Sequence, residues 1–220
     1  MVEFCESFAS IQGEGINAGI VCIFVRFAKC NMHCTKATVG FDCDTPYSFT
    51  GIEKPIEQVC EDVGKLCKEN KCKHICITGG EPLLNQDAMI ALINYLKNNK
   101  LAYYFEVETN GTILPNKKLT SVVNLWNVSP KKDFLEVVKN WDRNVSGQVF
   151  FKFVIESPEK LELLKDIKSH THYWVGFMPE GYDRETSIKN SIWLVEECKK
   201  LNIRFCPRLQ IILYGNKRAV

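Results

Sequence analysis

Apolar runs of strand length alternate with segments of helical period along most of the chain, and this alternation restricts the fold more than any other feature. "VCIFVRF" (21–27), "HICIT" (74–78), "YYFEVET" (103–109), "VVNLWNV" (122–128), "VFFKFVI" (149–155) and "YWVGFM" (173–178) read as strands. Between them, "PIEQVCEDVGKLCKEN" (55–70) reads as a helix opening at Pro55, and "QDAMIALINYLKNN" (86–99) puts Met89, Leu92, Ile93 and Leu96 on one face. "PEKLELLKDIKS" and "SIKNSIWLVEECKK" carry the same helical period, and "IRFCPRLQIIL" reads as a closing strand. Strand, helix, strand in succession requires right-handed crossovers and a mainly parallel sheet. The chain has 220 residues and roughly six such units, whereas a complete eight-unit barrel takes about 250 residues. The expected architecture is therefore α/β, a partial (open) β/α barrel, with a doubly wound sheet as the competitor. In both, ligands collect beyond the carboxyl ends of the strands, where "TGGEP", "ETNG" and "SPK" fall.

With 45% hydrophobic and 25% charged residues, the chain is long enough for one sizeable core, and no linker, solenoid repeat or low-complexity stretch divides it. We expect a single domain over 1–220. The formal charge is +2 with basic residues spread along the chain, which argues against a nucleic-acid surface or a polybasic membrane patch. No apolar run reaches the roughly 18 residues that would span a bilayer, and "MVEFCESFAS" lacks the basic start and long apolar core of a signal peptide. The expected location is cytoplasmic, with no membrane partner.

Eleven cysteines are many, but the number is odd and the chain exceeds the usual small disulfide scaffold. Cys60 and Cys67 share the apolar face of Ile56, Val59, Val63 and Leu66, while Cys22 and Cys76 lie inside strand-like runs, so these read as packed thiols. Cys30, Cys34 and Cys43 do not, because "KCNMHCTKATVGFDCDTPYS" (29–48) has almost no hydrophobic periodicity. A structural zinc site wants four closed ligands, and His33 stands beside Cys34, where it would have difficulty turning to the same metal. An iron–sulfur cluster on three thiolates leaves one iron open for a small molecule. Spacing alone leaves zinc, plain structural thiols and a cluster all open.

Cys-x3-Cys, a third Cys, and then "GGEP" at a strand end together resemble the radical S-adenosylmethionine (SAM) superfamily, whose members use an open-iron cluster to cleave SAM reductively. "ESFASIQGEGINAG", "FVRFAKCN" and "CDTPY", with "TGGEP", "ETNG" and "SPK", resemble more narrowly the family of 7-carboxy-7-deazaguanine synthases, from about residue 6 to residue 131. The family spacing is Cys-x3-Cys-x2-Cys. Here the second gap is "TKATVGFD", and Asp42 stands where an aromatic residue is usual, so either Phe41 takes its place or the adenine is held differently.

The resemblance implies a radical SAM fold with a cluster loop at 28–50, in which Cys30, Cys34 and Cys43 bind a 4Fe-4S cluster and Thr45 reaches Mg2+. It implies SAM contacts from Gly79, Gly80 and Glu81, from Glu108 and Asn110, from Ser129, Pro130 and Lys131, and from Phe177, Met178, Pro179 and Glu180. The two glycines would allow close backbone approach, and Glu81 would accept from the ammonium of SAM. Gln12, Gly13, Glu14, Arg26, Thr78, Gln210 and Val220 would meet the substrate, 6-carboxy-5,6,7,8-tetrahydropterin. An amide and a carboxylate suit its amino-pyrimidine edge, and the fork of Arg26 suits its carboxylate. "PRLQ", with Arg208 and Gln210, departs from the family's Pro-Gln-Leu-His. The implied reaction is a radical ring contraction to 7-carboxy-7-deazaguanine and ammonia, in a homodimer served by a reductant such as flavodoxin or ferredoxin. Read without the family, "TGGEP" is a loop with a helix-starting proline, "NG" a turn, Thr45 a turn residue, and Arg26 a partner for Asp42 or Asp44. Two rivals stand: a radical SAM activase that makes a glycyl radical on another protein, and a non-catalytic zinc- or cluster-binding module.

Overall fold

The structure is a computed structural model that describes residues 1–215 and 217–220. Strand β1 (Val2–Ile11) turns back into β2 (Val21–Phe27), and the chain then passes through a one-turn helix α1 (Lys36–Val39) to a short β3 (Ile52–Lys54). Regular alternation follows: α2 (Ile56–Glu69), β4 (His74–Gly79), α3 (Gln86–Asn98), β5 (Tyr104–Thr109), α4 (Lys117–Thr120), β6 (Leu125–Val128) and α5 (Phe134–Asn144). It continues through β7 (Gln148–Ile155), α6 (Pro158–Leu164), β8 (Trp174–Pro179), α7 (Arg184–Leu201), β9 (Arg204–Phe205) and α8 (Leu209–Tyr214).

All strands join one 9-stranded sheet in the order β3-β1-β2-β4-β5-β6-β7-β8-β9. From β2 across to β9 every neighbour is parallel, while β1 pairs antiparallel with both β2 and β3. The edges β3 and β9 do not meet, so the barrel is open. Six strand-to-helix units run from β2/α2 through β4/α3, β5/α4, β6/α5 and β7/α6 to β8/α7, as the alternation predicts.

Side chains alternate across a strand, so each parallel strand has two faces of different chemistry. Ile75, Ile77, Phe105, Val107, Trp126, Val128, Phe151 and Phe153 are fully buried against helical residues such as Val59, Val63, Leu92, Leu96, Val138 and Trp141. Trp126 meets Trp141 edge-on, with ring centroids 5.6 Å apart, a geometry that contributes about 0.5–1.5 kcal/mol beyond area burial. The opposite face carries Cys76 and Thr78, Glu106 and Glu108, Asn127, and Lys152. A polar inner face of this kind is what a barrel with an internal ligand requires. No helix among the described residues is long and apolar enough to cross a membrane.

Besides the short α1, β3 and α4, which the sequence reading did not name, the structure differs from expectation at both ends of the chain and between β6 and β7. "VEFCESFASI" forms β1, so "QGEG" follows the first strand instead of preceding it. "IRFCPRLQIIL" does not close as one strand: only Arg204–Phe205 pairs, and the chain leaves the sheet at Pro207, which has no N–H for a ladder, to form α8. Helix α5 lay unread in "FLEVVKNWDRN", although Val137, Val138 and Trp141 have helical spacing and are buried.

Candidate active site

The cluster loop begins where β2 ends. The eight residues between Cys34 and Cys43 are taken up by α1, one turn that returns the chain on itself. The Cys43 N–H donates to the Cys34 carbonyl at 3.2 Å, so the long gap brings the third thiol back beside the second. Two contacts hold the turn, Thr35 N–H donating to Thr38 Oγ1 (3.0 Å) and Lys36 N–H donating to Asp42 Oδ1 (3.0 Å), and Gly40 ends it at φ 94°. Asp42 therefore caps the insertion, while Phe41 lines the cavity with the Lys131 ammonium 5.5 Å above its ring. His33 stacks on Phe49 at 4.8 Å, an engagement that takes its ring away from the role of a fourth ligand.

The "GGEP" loop is bonded to the first cysteine's segment. Gly80 N–H donates to the Phe27 carbonyl (3.3 Å) and Glu81 N–H to the Lys29 carbonyl (2.9 Å). A Cβ on Gly80 would run into the Lys29 carbonyl and the Cys30 side chain, so this close approach demands glycine. Glu81 is fully buried and does not reach the cavity. Its carboxylate accepts from Leu83 N–H (3.0 Å), Thr109 Oγ1–H (2.8 Å) and Asn110 N–H (2.8 Å). These three bonds brace "GGEP" against "ETNG". Burial pushes the Glu81 carboxyl above the usual range. Asn110 in turn donates to Asn31 Oδ1 (3.0 Å) and to Cys30 Sγ (3.9 Å).

A cavity of about 490 Å³ opens at the carboxyl ends of the strands, within the size range of small-molecule sites. Cys30, Cys34, Cys43, Thr45, Thr78, Gly79, Gly80, Glu108, Asn110, Ser129, Lys131, Gln12, Gly13, Glu14, Arg26, Met178, Glu180, Gln210 and Val220 all line it. Phe177 and Pro130 do not: Phe177 alternates onto the helix face of β8 and is fully buried in the cluster that holds Phe153 and Leu194, and Pro130 is buried. Pro179 lies on the same face of β8 as Phe177 and is absent from the wall. Any ligand contact from Phe177 or Pro179 is confined to backbone.

Across the cavity floor runs a chain of alternating charge that sequence reasoning did not foresee. Lys152 of β7 reaches Glu108 Oε2 (2.8 Å) and Glu14 Oε2 (2.5 Å). Glu14 also accepts from Arg208 Nε (3.2 Å) and Gln210 Nε2 (2.7 Å), and Arg208 continues to the Gly181 carbonyl (2.6 Å) and to Asp44 (2.5 Å). Burial alone would push the Glu14 carboxyl up, but the charges of Lys152 and Arg208 outweigh it and hold Glu14 well below the usual range. Burial would lower the Lys152 ammonium, yet Glu108 and Glu14 hold it above its ordinary value. Gln12 is nearly buried, donating to Glu106 (2.8 Å) and Glu108 (3.2 Å), while its Oε1 accepts from Glu14 N–H (3.2 Å). Its amide thus ties Glu108 on the cavity wall to the buried Glu106 behind it. Arg26 pairs with Glu6 Oε1 at 2.9 Å and not with Asp42 or Asp44, and Tyr47 sits between it and Arg218. At the "SPK" corner, Lys131 Nζ lies 2.9 Å from Ser129 Oγ, and burial lowers its ammonium.

The donor set fits an iron–sulfur cluster. Cys30, Cys34 and Cys43 are free and half-buried on one cavity, whereas most of the other thiols are buried. Among the described residues, no three His, Cys, Asp or Glu side chains converge on a point that a single ion could occupy. Fold and site together define an open β/α barrel that presents three free cysteines on the wall of a small-molecule cavity. Residues 11–149 match the family described as "4Fe-4S single cluster domain". Relatives along nearly the whole chain bear the name 7-carboxy-7-deazaguanine synthase: one from Thermoplasma acidophilum is 30% identical, covering 98% of each chain. Another, from Pyrobaculum aerophilum, is 29% identical over 99% of this chain and 97% of its own. The crystal structure of QueE from Escherichia coli superposes with a TM-score of 0.67 at 19% identity, covering 94% of both chains, which supports the shared fold. This chain belongs to the 7-carboxy-7-deazaguanine synthase family.

Proposed function

We propose that the protein converts 6-carboxy-5,6,7,8-tetrahydropterin to 7-carboxy-7-deazaguanine and ammonia by radical ring contraction, as a radical SAM lyase. The observation that carries this reading is the convergence on one cavity of the three-cysteine loop, the "GGEP" corner bonded to it, and the "QGEG" segment with Glu14. When bound, the cluster and SAM supply the carbon radical that takes a hydrogen from the substrate.

The chain's own residues bind and orient. Cys30, Cys34 and Cys43 would hold the cluster, leaving one iron for SAM. The close-packed backbone at Gly79 and Gly80 admits the methionyl end of SAM. Lys131 meets a carboxylate by charge, and Glu108 and Asn110 offer hydrogen-bond partners to a ribose. Glu14, held ionised, accepts from the amino-pyrimidine edge, and Gly13 leaves room for Gln210 beside it. Arg26 keeps the outer end of its guanidinium for the substrate carboxylate while Nε holds Glu6. Thr45 offers one hydroxyl to a hydrated Mg2+. Phe8, Phe24, Phe41 and Met178 on the wall exclude water from the reacting ring. A one-electron donor of flavodoxin or ferredoxin type, a homodimer and a cytoplasmic location belong to the same proposal, on the family resemblance.

The test is anaerobic reconstitution with iron and sulfide, followed by SAM, dithionite, magnesium and the pterin, with mass spectrometry of the product. We expect 7-carboxy-7-deazaguanine, and none from Cys43→Ala. Cleavage of SAM without this product would sink the substrate assignment but keep the reaction class. No cluster at all would favour the zinc-binding module.

A further inference from the structure

We propose that Lys152, which belongs to none of the motifs, is a positioning residue that keeps Glu108 available as a fixed acceptor for the SAM ribose. This inference rests on the function proposed above. Lys152 lies in "FFKFV", a run whose other members are apolar and buried, and its side chain is 3% exposed. A lysine here is desolvated and tolerable only because two carboxylates meet it.

Those two carboxylates are not equally dependent on it. Glu14 has further donors in Arg208 and Gln210. Glu108, besides Lys152, receives only the longer bond from Gln12 among the described residues. The other titratable groups facing Glu108 are mostly acids: Glu14 beyond Lys152, Glu106 on its own strand, Cys22 of β2 and Cys76 of β4; Lys131 stands near Lys152 and Glu14 from the "SPK" corner. Burial raises the Glu108 carboxyl, with Lys152 opposing. Without the ammonium, two carboxylates share a buried floor and one must take a proton. Arg208 and Gln210 keep that proton off Glu14, so it goes to Glu108. A protonated Glu108 offers a ribose hydroxyl one donor in place of a charged acceptor.

The experiment is equilibrium binding, by calorimetry, of SAM and of the pterin separately to the cluster-loaded, unreduced protein between about pH 6 and 9. With Lys152 present, SAM affinity is expected to be flat with pH. In Lys152→Met it should fall about tenfold near pH 7, the size of losing a charged hydrogen-bond partner, and recover as pH rises and Glu108 ionises. Pterin affinity should change less. The double variant Lys152→Met/Glu108→Gln, which carries no stranded acid and so guards against a single variant that fails to fold, should bind SAM weakly with no pH dependence. Lys152→Met that binds SAM as tightly as the parent, or equally weakly at every pH, overturns the proposal, as does a pH dependence that survives in the double variant. A parent protein that binds no SAM removes the proposed function and this inference with it, whereas SAM binding without pterin binding removes only the substrate assignment.

Discussion

Glu14 shows how a single side chain's environment becomes a measurable property. Its folded carboxyl is held below the ordinary value of 4.5 by Lys152 and Arg208. The stability it contributes is therefore fully present above that ordinary value and is lost as pH falls through the depressed folded value. Glu14→Gln should be less stable than the parent at neutral pH, and urea unfolding should show the gap narrowing as pH drops below 4.5. At Glu81 the expected effect is independent of any ligand. Gln in its place presents an N–H to one of three donors now pointing at the carboxylate, costing about 1–3 kcal/mol in unfolding free energy. Stability that matched the parent would show that Glu81 is not a brace. Of these residues, Gln12, Glu14 and Glu81 stand in motifs and could be singled out by reading. Their bonding could not, because "QGEG" and "GGEP" do not say whether an acid faces ligand or protein. Lys152 carried a weaker signal still: one cation inside an otherwise apolar strand.

Among the elements, the turn inserted between Cys34 and Cys43 is the departure from family spacing, and α1 is its physical solution. Asp42 caps it through Lys36 N–H, and removal of such a side-chain cap costs about 0.5–2 kcal/mol locally. Asp42→Ala is therefore expected to speed iron loss to a chelator, with the thermal midpoint of the whole domain moving little. Equal rates of iron loss in parent and variant would show that the cap does not organise the cluster loop. Strands such as "HICIT" and "VFFKFVI" were legible because a buried parallel strand is a continuous apolar run. Strand β1 was not, since it lies near the sheet's edge with polar residues along the cavity. Helix α8 was hidden because "IIL" has no period that separates a short helix from a strand.

On the scale of the whole molecule, Arg208 ties the last helix to the "QGEG" segment, to Asp44 in the cluster loop and to the Gly181 carbonyl. Arg208→Met should lower unfolding stability by up to about 3 kcal/mol, less than breaking an isolated buried pair because Glu14 keeps Lys152. Denaturant titration checks this. If the variant unfolds like the parent, the charge chain does not join the ends of the sheet.

The sequence by itself determined the alternation of strand and helix in about six units and the motifs that fall at the strand ends, because these follow from periodicity and short spacings that act within one element, whereas the choice of an open barrel over a doubly wound sheet came from the strand order. Only the tertiary structure decided which charge meets which. Glu14 lies 138 positions from Lys152 and 194 from Arg208. Separations of that length leave no periodic trace, and the pairing exists only once the sheet has curled and set these side chains across one largely buried floor, where an unpaired charge is costly to keep.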